Sequence, residues 1–423
     1  MRNPCVVAWP LVAAALQRGT VRLPLAREAA VSGRRAMLAG LVFLLWATRS
    51  ALAVQEAVVI GDDPEPPCVI ELTPEGPELR SGGLEDDWPS SASDLSLLPD
   101  GRITVVEVFA NRFFVASPDN SAGRWVGREG EGPGEYSDVR WVRPHGNRLH
   151  VFDRLLMRRT VLHDTDFSVV DTHPFQPVSA LRDVLMLTDS SYVINGGVQT
   201  PRSVGYALHL FNRGEVVRSF DEAPFVRGQR SIPGPGRYLA LSRDGGVWSA
   251  VRTEYRVDLW DAAAGIRQLS VIRDAPWFPA HDGGMALDPN GPLPQPVVGG
   301  MMEDTAGPDL GGYHGSIRAA VEGMSRENTT GFPPPAWGEY TIPMGCSYSV
   351  GRLEVLDPAA GRLLASQTLS TSRWIRLTRA RGDDVVLSVA RDEFDFSIVQ
   401  RWRVALRPVN VNEGQGGRRC SRG

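Results

Sequence analysis

At 423 residues, with 42% apolar and 22% charged residues, the chain has ordinary globular composition and room for one large or two ordinary domains. Its net charge is −4, and arginine supplies nearly all the positive charge. Bulk electrostatics therefore gives a nucleic acid nothing to bind, and such a partner is excluded.

The chain opens on an export signal. Arg34 and Arg35 precede the apolar run Ala36–Thr48, which is too short for a comfortable membrane span, and Ala51-Leu52-Ala53 supplies a small-x-small cleavage pattern. Residues 1–53 are read as signal and leader, delivered by the general secretory or the twin-arginine route. The mature protein is then periplasmic or extracellular. No cysteine sits at the cleavage site, so no stable membrane anchor is expected after cleavage. Residues 54–67 are acidic and proline-rich and read as a linker.

From Cys68 to Pro408 the chain repeats one unit of short β-strands. Short strands around a turn are expected at Cys68–Leu72 and Pro77–Arg80. The first copy has strands at Asp94–Leu98, Arg102–Phe109, Arg112–Ser117 and Ser121–Val126, and the second at Asp138–Arg143, Arg148–Asp153, Arg159–His163 and Phe167–Asp171. The third runs over Asp183–Leu187, Tyr192–Asn195, Ala207–Phe211 and Val216–Phe220. The fourth runs over Tyr238–Ser242, Val247–Val251, Arg256–Trp260 and Arg267–Ile272. A fifth copy is interrupted, with strands at Ile317–Glu322, Arg352–Leu356 and Leu363–Thr368. The sixth holds Trp374–Thr378, Val385–Ala390 and Ser397–Arg403. The turns Asn212-Arg213-Gly214, Asp261–Gly265 and Asp357–Gly361 put Asn or Asp first and Gly last, which is type I turn chemistry. Copies recur at roughly 45 to 70 residues, the range of a four-stranded blade with loop insertions.

One such sheet has two faces to bury and cannot do so alone, so it must stack on its neighbours, and closing the stack removes both exposed ends. This gives an all-β fold: a six-bladed β-propeller of four-stranded antiparallel blades. A pair of packed sheets is the alternative. Two stretches break the repeat, 275–312 and 323–345, both rich in Gly and Pro and carrying Trp277, Phe278 and Trp337. They are expected to pack over one face beside the fifth copy. Residues 409–423 form a polar tail. Three cysteines follow the signal, and a ring would bring Cys68 and Cys420 near each other. That pairing is the expected disulfide, against the alternative of none.

Gly127–Tyr136 (GREGEGPGEY) joins the first two copies. Its four glycines and one proline mark a shaped connector without strand or helix, with Gly130, Gly132 and Gly134 free to take φ > 0. It resembles the G-R-x-G-x-G-P-G-E-[FY] connector of a bacterial family of secreted six-bladed propellers (NHL-like). Gly127, Arg128, Gly130, Gly132, Pro133, Gly134 and Glu135 match, and Tyr136 holds the aromatic position. The resemblance extends in blade-sized pieces from about Cys68 to Pro408. It implies that the strand at the N-terminus completes the last blade and closes the ring, and it implies no particular reaction.

In a propeller the first strand of each blade lines the axis. Asp94, Asp138 and Asp183 begin three first strands and are weighed as ligands of an axial Ca²⁺ or as caps of their own strand entries. Arg140, Arg143, Arg182, Arg237, Arg376 and Arg379 lie in or beside first strands. They suit either an acidic ligand or ion pairs with those aspartates. Arg128, Glu135 and Tyr136 of the connector could reach the same mouth. The seven histidines show no metal-ligand spacing, and no nucleophile elbow, P-loop or CxxC occurs, so no catalytic residue is assigned. The sequence-level function is an exported module that binds a protein, small molecule or glycan through Arg128, Glu135, Tyr136, Asp138, Arg140, Asp183 and Arg237. The alternative is a metal-dependent propeller enzyme, lactonase-like hydrolase or lyase.

Overall fold

A strand covered on one face alternates buried and exposed residues, and a strand covered on both faces does not. The middle strands here are covered on both: Arg148–Asp153 buries five residues in succession and Val247–Val251 all five. The computed structural model describes residues 56–80, 88–90, 92–107, 111–198, 202–223, 236–280, 297–303, 317–325, 347–369, 374–376, 385–391 and 397–409, all within the unit Gln55–Gly423. Among them are strands, turns and bends, and no helix.

Three N-terminal strands come first: β1 (Glu56–Ile60), β2 (Cys68–Pro74) and β3 (Leu79–Arg80). The first sheet is β4 (Asp94–Leu97), β5 (Ile103–Val106), β6 (Phe113–Ala116) and β7 (Gly123–Val126). A two-stranded ribbon, β8 (Arg128–Glu129) and β9 (Glu135–Tyr136), leads to the second sheet: β10 (Val139–His145), β11 (Arg148–Asp153), β12 (Arg158–His163) and β13 (Val169–Pro174). The third is β14 (Val178–Met186), β15 (Ser191–Val198), β16 (Tyr206–Asn212) and β17 (Glu215–Glu222). The fourth is β18 (Arg237–Leu241), β19 (Val247–Val251), β20 (Arg256–Asp261) and β21 (Ile266–Arg273). The fifth is β22 (Val297–Glu303), β23 (Ile317–Ser325), β24 (Ser347–Asp357) and β25 (Arg362–Leu369), and the sixth holds β26 (Trp374–Arg376), β27 (Val385–Arg391) and β28 (Ser397–Pro408). Each sheet is an antiparallel meander in chain order. β2 adds the outer strand of the sixth, with Cys68 opposite Pro408.

The apolar core is divided in the same way. Val106, Phe113, Val142 and Leu149 join the first sheet to the second, and Trp141, Phe152, Tyr192 and Phe211 join the second to the third. Val193, Phe220, Val247 and Trp260 join the third to the fourth. Trp248, Val257, Val298 and Leu356 lie between fourth and fifth, and Leu353, Val355, Ile70 and Val386 between fifth and sixth. A last cluster, with Leu387, Val399, Leu97, Val105 and Phe114, joins the sixth sheet to the first. Successive innermost strands touch from β4 through β10, β14, β18 and β22 to β26, while an outer strand such as β13 is largely exposed. The fold is a β-propeller.

Four expectations need correction. The linker over 54–67 contains β1, which pairs in parallel with β21 at the outer edge of the fourth sheet, Glu56 opposite Leu269. Because β2 lies on the sixth sheet, the segment between them straps the outside of the fifth. It is tied down where Arg273 Nη2 donates to Asp62 at 2.6 Å. The connector is not strand-free, since β8 and β9 pair in parallel within it. Residues 275–312 are not one insertion: β22 is the innermost strand of the fifth sheet, and Phe278 is buried with Trp277 packed beside it on the core between fourth and fifth sheets. The remainder of that stretch, most of 323–345, residues 1–53, Arg379, Cys346, Cys420 and the tail beyond 409 lie outside the described residues. At Asn212-Arg213-Gly214 both Arg213 (φ 50°) and Gly214 (φ 88°) are left-handed, so this turn is of the mirror-image hairpin type rather than type I.

Candidate functional site

The meander fixes which residues share a face. Each innermost strand receives the chain from the preceding sheet at its N-terminal end, and the second-to-third-strand turns reach that same end. The connector, Asp138, Arg140, Arg182, Arg237 and Arg252 therefore share one face of the propeller. His145, His163 and Asp189, in the other set of turns, occupy the opposite one.

In the connector, Gly127 (φ 93°), Gly130 (φ 145°) and Gly134 (φ 74°) are left-handed, while Gly132 is not. A Cβ on Gly127 would stand 2.6 Å from the Tyr136 ring, and one on Gly130 would stand 2.2 Å from Glu135 Oε2, so the glycines make room for these two side chains. Gly132 N–H donates to Glu135 Oε2 at 2.8 Å and Arg128 Nε donates to Oε1 at 2.9 Å, which together hold the carboxyl below its usual range. Arg158, from β12, donates to the carbonyls of Glu131, Gly132 and Glu135. Tyr136 is fully buried in the core between the first and second sheets, and burial pushes its phenol up. Glu135 is thus consumed by the loop's own shape. Arg128, whose side chain is 79% exposed, reaches solvent while paired with Glu135.

A second network crosses the innermost strands. Arg143 Nη1 donates to Asp94 Oδ2 at 2.5 Å, Nη2 to Asp183 Oδ1 at 3.0 Å and Nε to the Val184 carbonyl at 2.9 Å. Asp183 Oδ2 accepts from Leu239 N–H at 2.9 Å, so four consecutive sheets are joined through one guanidinium and two carboxylates. Burial acts to lower the Arg143 pKa, and the two carboxylates outweigh it and hold it above its ordinary value. Asp138 accepts from Arg154 Nε at 2.5 Å, and Arg237 donates to Asp221 at 2.8 Å while its own N–H reaches Asn195. The carboxyl of Asp221 is pushed up by burial, which Arg237 only partly offsets. These residues do not fit an axial Ca²⁺. The positive charge between Asp94 and Asp183 is Arg143, and Asp138 is turned to Arg154. Among the described residues no group of three His, Cys, Asp or Glu is arranged to hold a metal ion.

The remaining arginines of this face are different. Arg140 is the extra residue of a bulge in β10, between the pairs Val139–Asp153 and Trp141–Phe152. Arg182 lies in a wider bulge of β14, between the pairs Ser179–Gly197 and Asp183–Asn195. A bulge takes a side chain out of the sheet's alternation and re-aims it. Arg252 follows β19, and its backbone is held by Gly236 on one side and Val298 on the other, with N–H···O distances of 3.1 and 2.9 Å. Its guanidinium stands 5.6 Å over the Tyr238 ring. A Cβ on Gly236 would meet Arg252 Cδ at 3.1 Å and Arg182 Cγ at 3.7 Å, so both side chains pass over the same glycine. Arg140 Nη1 and Arg252 Nε are buried without a hydrogen-bond partner. Burial, then the charges of Arg252 and Arg140, pull the Arg182 pKa down against the contrary pull of Tyr238. Among the described residues none of the three has a carboxylate partner. Sequence reasoning named Arg140 and Arg182 and missed Arg252, which follows a second strand, and Tyr238, which carries no charge.

On the opposite face His150 is fully buried on β11, with Asp189 Oδ1 3.9 Å from Nε2, and burial holds its pKa down to about 3. His209 is similarly held down to about 4 by burial, although it bonds Ser219 and the Gly196 carbonyl. Cys68 is buried and disulfide-bonded.

The sequence matches no protein-family model and no curated protein. Among solved structures it is similar to a Bacteroides fragilis protein described as exported, at 11% identity and a TM-score of 0.51 over 82% of this chain and 99% of that one. It is also similar to the β-propeller domain of Cps50 (Swd1) from Myceliophteria thermophila, at 8% identity and a TM-score of 0.41 over 78% of this chain and 100% of that one. The WD40 β-propeller domain of Doa1 is similar at 11% identity and a TM-score of 0.39, over 78% and 97% of the two chains. At such identities the likeness concerns fold alone.

Proposed function

We propose that the chain is an exported, six-bladed propeller that serves as a binding module, with its site on the face formed by the N-terminal ends of the innermost strands. Six sheets of four or five strands, and an apolar cluster between the sixth and the first, support the closed ring. The hydrophobic run and cleavage pattern before Val54 support export. The disulfide of Cys68 is assigned to Cys420, the cysteine that follows Pro408 and Val409 in the chain, because Cys68 lies opposite Pro408 and the Val409 N–H bonds the Pro67 carbonyl at 3.0 Å. One observation carries the choice of face: Arg140, Arg182 and Arg252 lie there without a carboxylate partner among the described residues, and Arg140 Nη1 and Arg252 Nε are buried and unsatisfied. Such atoms cost stability unless something else satisfies them.

The test is a thermal-shift screen of the full-length protein against small molecules, glycans and proteins, followed by hydrogen exchange with any ligand that saturates. The reading predicts protection over residues 128–140, 178–183 and 236–252. Protection confined to the outer strands β13 and β17, or turnover of a lactone lost on metal removal, would overturn it.

A further inference from the structure

Two arginines three residues apart on β10 have opposite fates. Arg143 sits in regular register and is saturated by Asp94 and Asp183, while Arg140, at the bulge, keeps a buried Nη1 with no acceptor. Arg182 repeats the arrangement one sheet on, and Arg252 comes from a third sheet to pass over the same Gly236. Three permanent charges thus gather on one face, none of them ion-paired among the described residues, while Asp138 beside them is paired with Arg154 through Oδ2 and keeps a buried Oδ1 without a partner. Folding gains nothing by bringing like charges together, since each repels the others and two have polar atoms withdrawn from water. The strands nonetheless spend two bulges on aiming Arg140 and Arg182. Arg252 is held from both sides by backbone hydrogen bonds to the neighbouring innermost-strand segments.

We infer that Arg140, Arg182 and Arg252, with the Tyr238 ring beneath Arg252, form a site for a small, multiply charged oxyanion, carboxylate or phosphate. This rests on the binding-module reading and names its ligand chemistry. Guanidinium forks match both carboxylate and phosphate, donating paired N–H groups to paired oxygens, and three forks converging from three sheets suit a ligand with two or more anionic groups. The depressed Arg182 pKa agrees: arginine stays charged, but in a position that a bound anion would relieve. Tyr238 and the half-buried Arg140 and Arg252 offer a partly dry floor in which such contacts are stronger than in bulk water.

The experiment is isothermal titration calorimetry of the full-length protein with citrate, with pyrophosphate and with glycerol as the uncharged probe, each at low and high salt. At least one anion is expected to saturate below about 10 mM, more weakly in high salt, with no heat from glycerol. Citrate alone would assign a carboxylate ligand, and pyrophosphate alone a phosphate ligand. Arg182→Gln and Arg140→Gln are each expected to weaken binding about tenfold or more, and Arg213→Gln, in an exposed turn of the third sheet, to leave it unchanged. Because Arg182 is exposed, Arg182→Gln carries the test even if Arg140→Gln folds poorly. No saturable binding of either anion, or equal binding by Arg182→Gln, overturns the inference. A neutral ligand still protecting this face in hydrogen exchange would then leave the binding-module reading standing, and its absence as well would end both.

Discussion

Two groups of arginines on the innermost strands behave as opposites. Arg143 and Arg237 lie in unbulged register, the first mostly and the second fully buried, and serve as rivets between sheets through Asp94, Asp183 and Asp221. Arg140 and Arg182 lie at bulges and have no such partner among the described residues. Residue type is shared by all four, and Arg140 and Arg143 share the strand β10 as well, so the difference comes from register, since an extra residue turns a side chain away from the row in which the carboxylates stand. In this propeller an arginine near the axis is structural or available according to where the ladder is interrupted.

The comparison is broken most severely at Arg143. Arg143→Ala leaves Asp94 and Asp183 buried without their shared cation and is expected to cost about 3–5 kcal/mol, read as a fall in the denaturant midpoint. An unchanged midpoint would mean that the network does not rivet the sheets. Gly127→Ala comes next. It forces a left-handed residue to carry a Cβ 2.6 Å from the Tyr136 ring, for about 1–3 kcal/mol, and intrinsic fluorescence together with melting would report the displaced connector.

A further effect is set by pH. His150 and His209 are held neutral in the folded state, with pKa values down to about 3 and about 4, below the ordinary 6.5 of the unfolded chain. The unfolded state therefore takes up their protons first as the pH falls. Their contribution is complete above about pH 6.5 and is lost through the window from there down toward pH 4 and 3, at up to about 1.4 kcal/mol per pH unit for each. His150→Gln should flatten the acid limb of a melting-temperature profile between these limits. A profile parallel to the wild type would show that His150 is not kept neutral by burial. The smallest effects belong to the connector pair. Glu135→Ala should lower the melting temperature more than Arg128→Ala, because Glu135 also accepts the Gly132 N–H, while Arg128 is an exposed partner. Equal losses would make the ion pair, rather than the loop bond, the operative contact.

Most of the ladder was legible from turn residues and short β-rich runs. Arg148–Asp153 and Val247–Val251 fall where the sequence places them, and the N-terminal strand joins the last sheet as the resemblance implies. What escaped had weak local signals. β22 reads VVGGMME within a glycine- and proline-rich stretch, and its two glycines, one at a bulge, hide a strand whose burial comes from the sheets around it. β1 lies in an acidic, proline-rich stretch and is a strand only because β21 offers an open edge. The same limit applies to the site. Sequence placed Arg140, Arg143, Arg182 and Arg237 near the axis together, but composition carries no record of register and so could not sort the rivets from the unpaired charges. Of the residues first grouped as binding, Glu135, Asp138, Asp183 and Arg237 are engaged in structural bonds and Tyr136 is core. Arg128 is exposed but paired with Glu135, and Arg140 has no ion-pair partner among the described residues.

The most direct test of this division compares melting curves of Arg143→Gln and Arg182→Gln with the wild type, with and without a saturating oxyanion. The account predicts opposite signs. Arg143→Gln melts well below the wild type in either condition, while Arg182→Gln without anion melts at or above it, since a like-charge repulsion is removed, and gains less than the wild type when the anion is added. Comparable destabilisation by both substitutions, with the anion stabilising both equally, would contradict it.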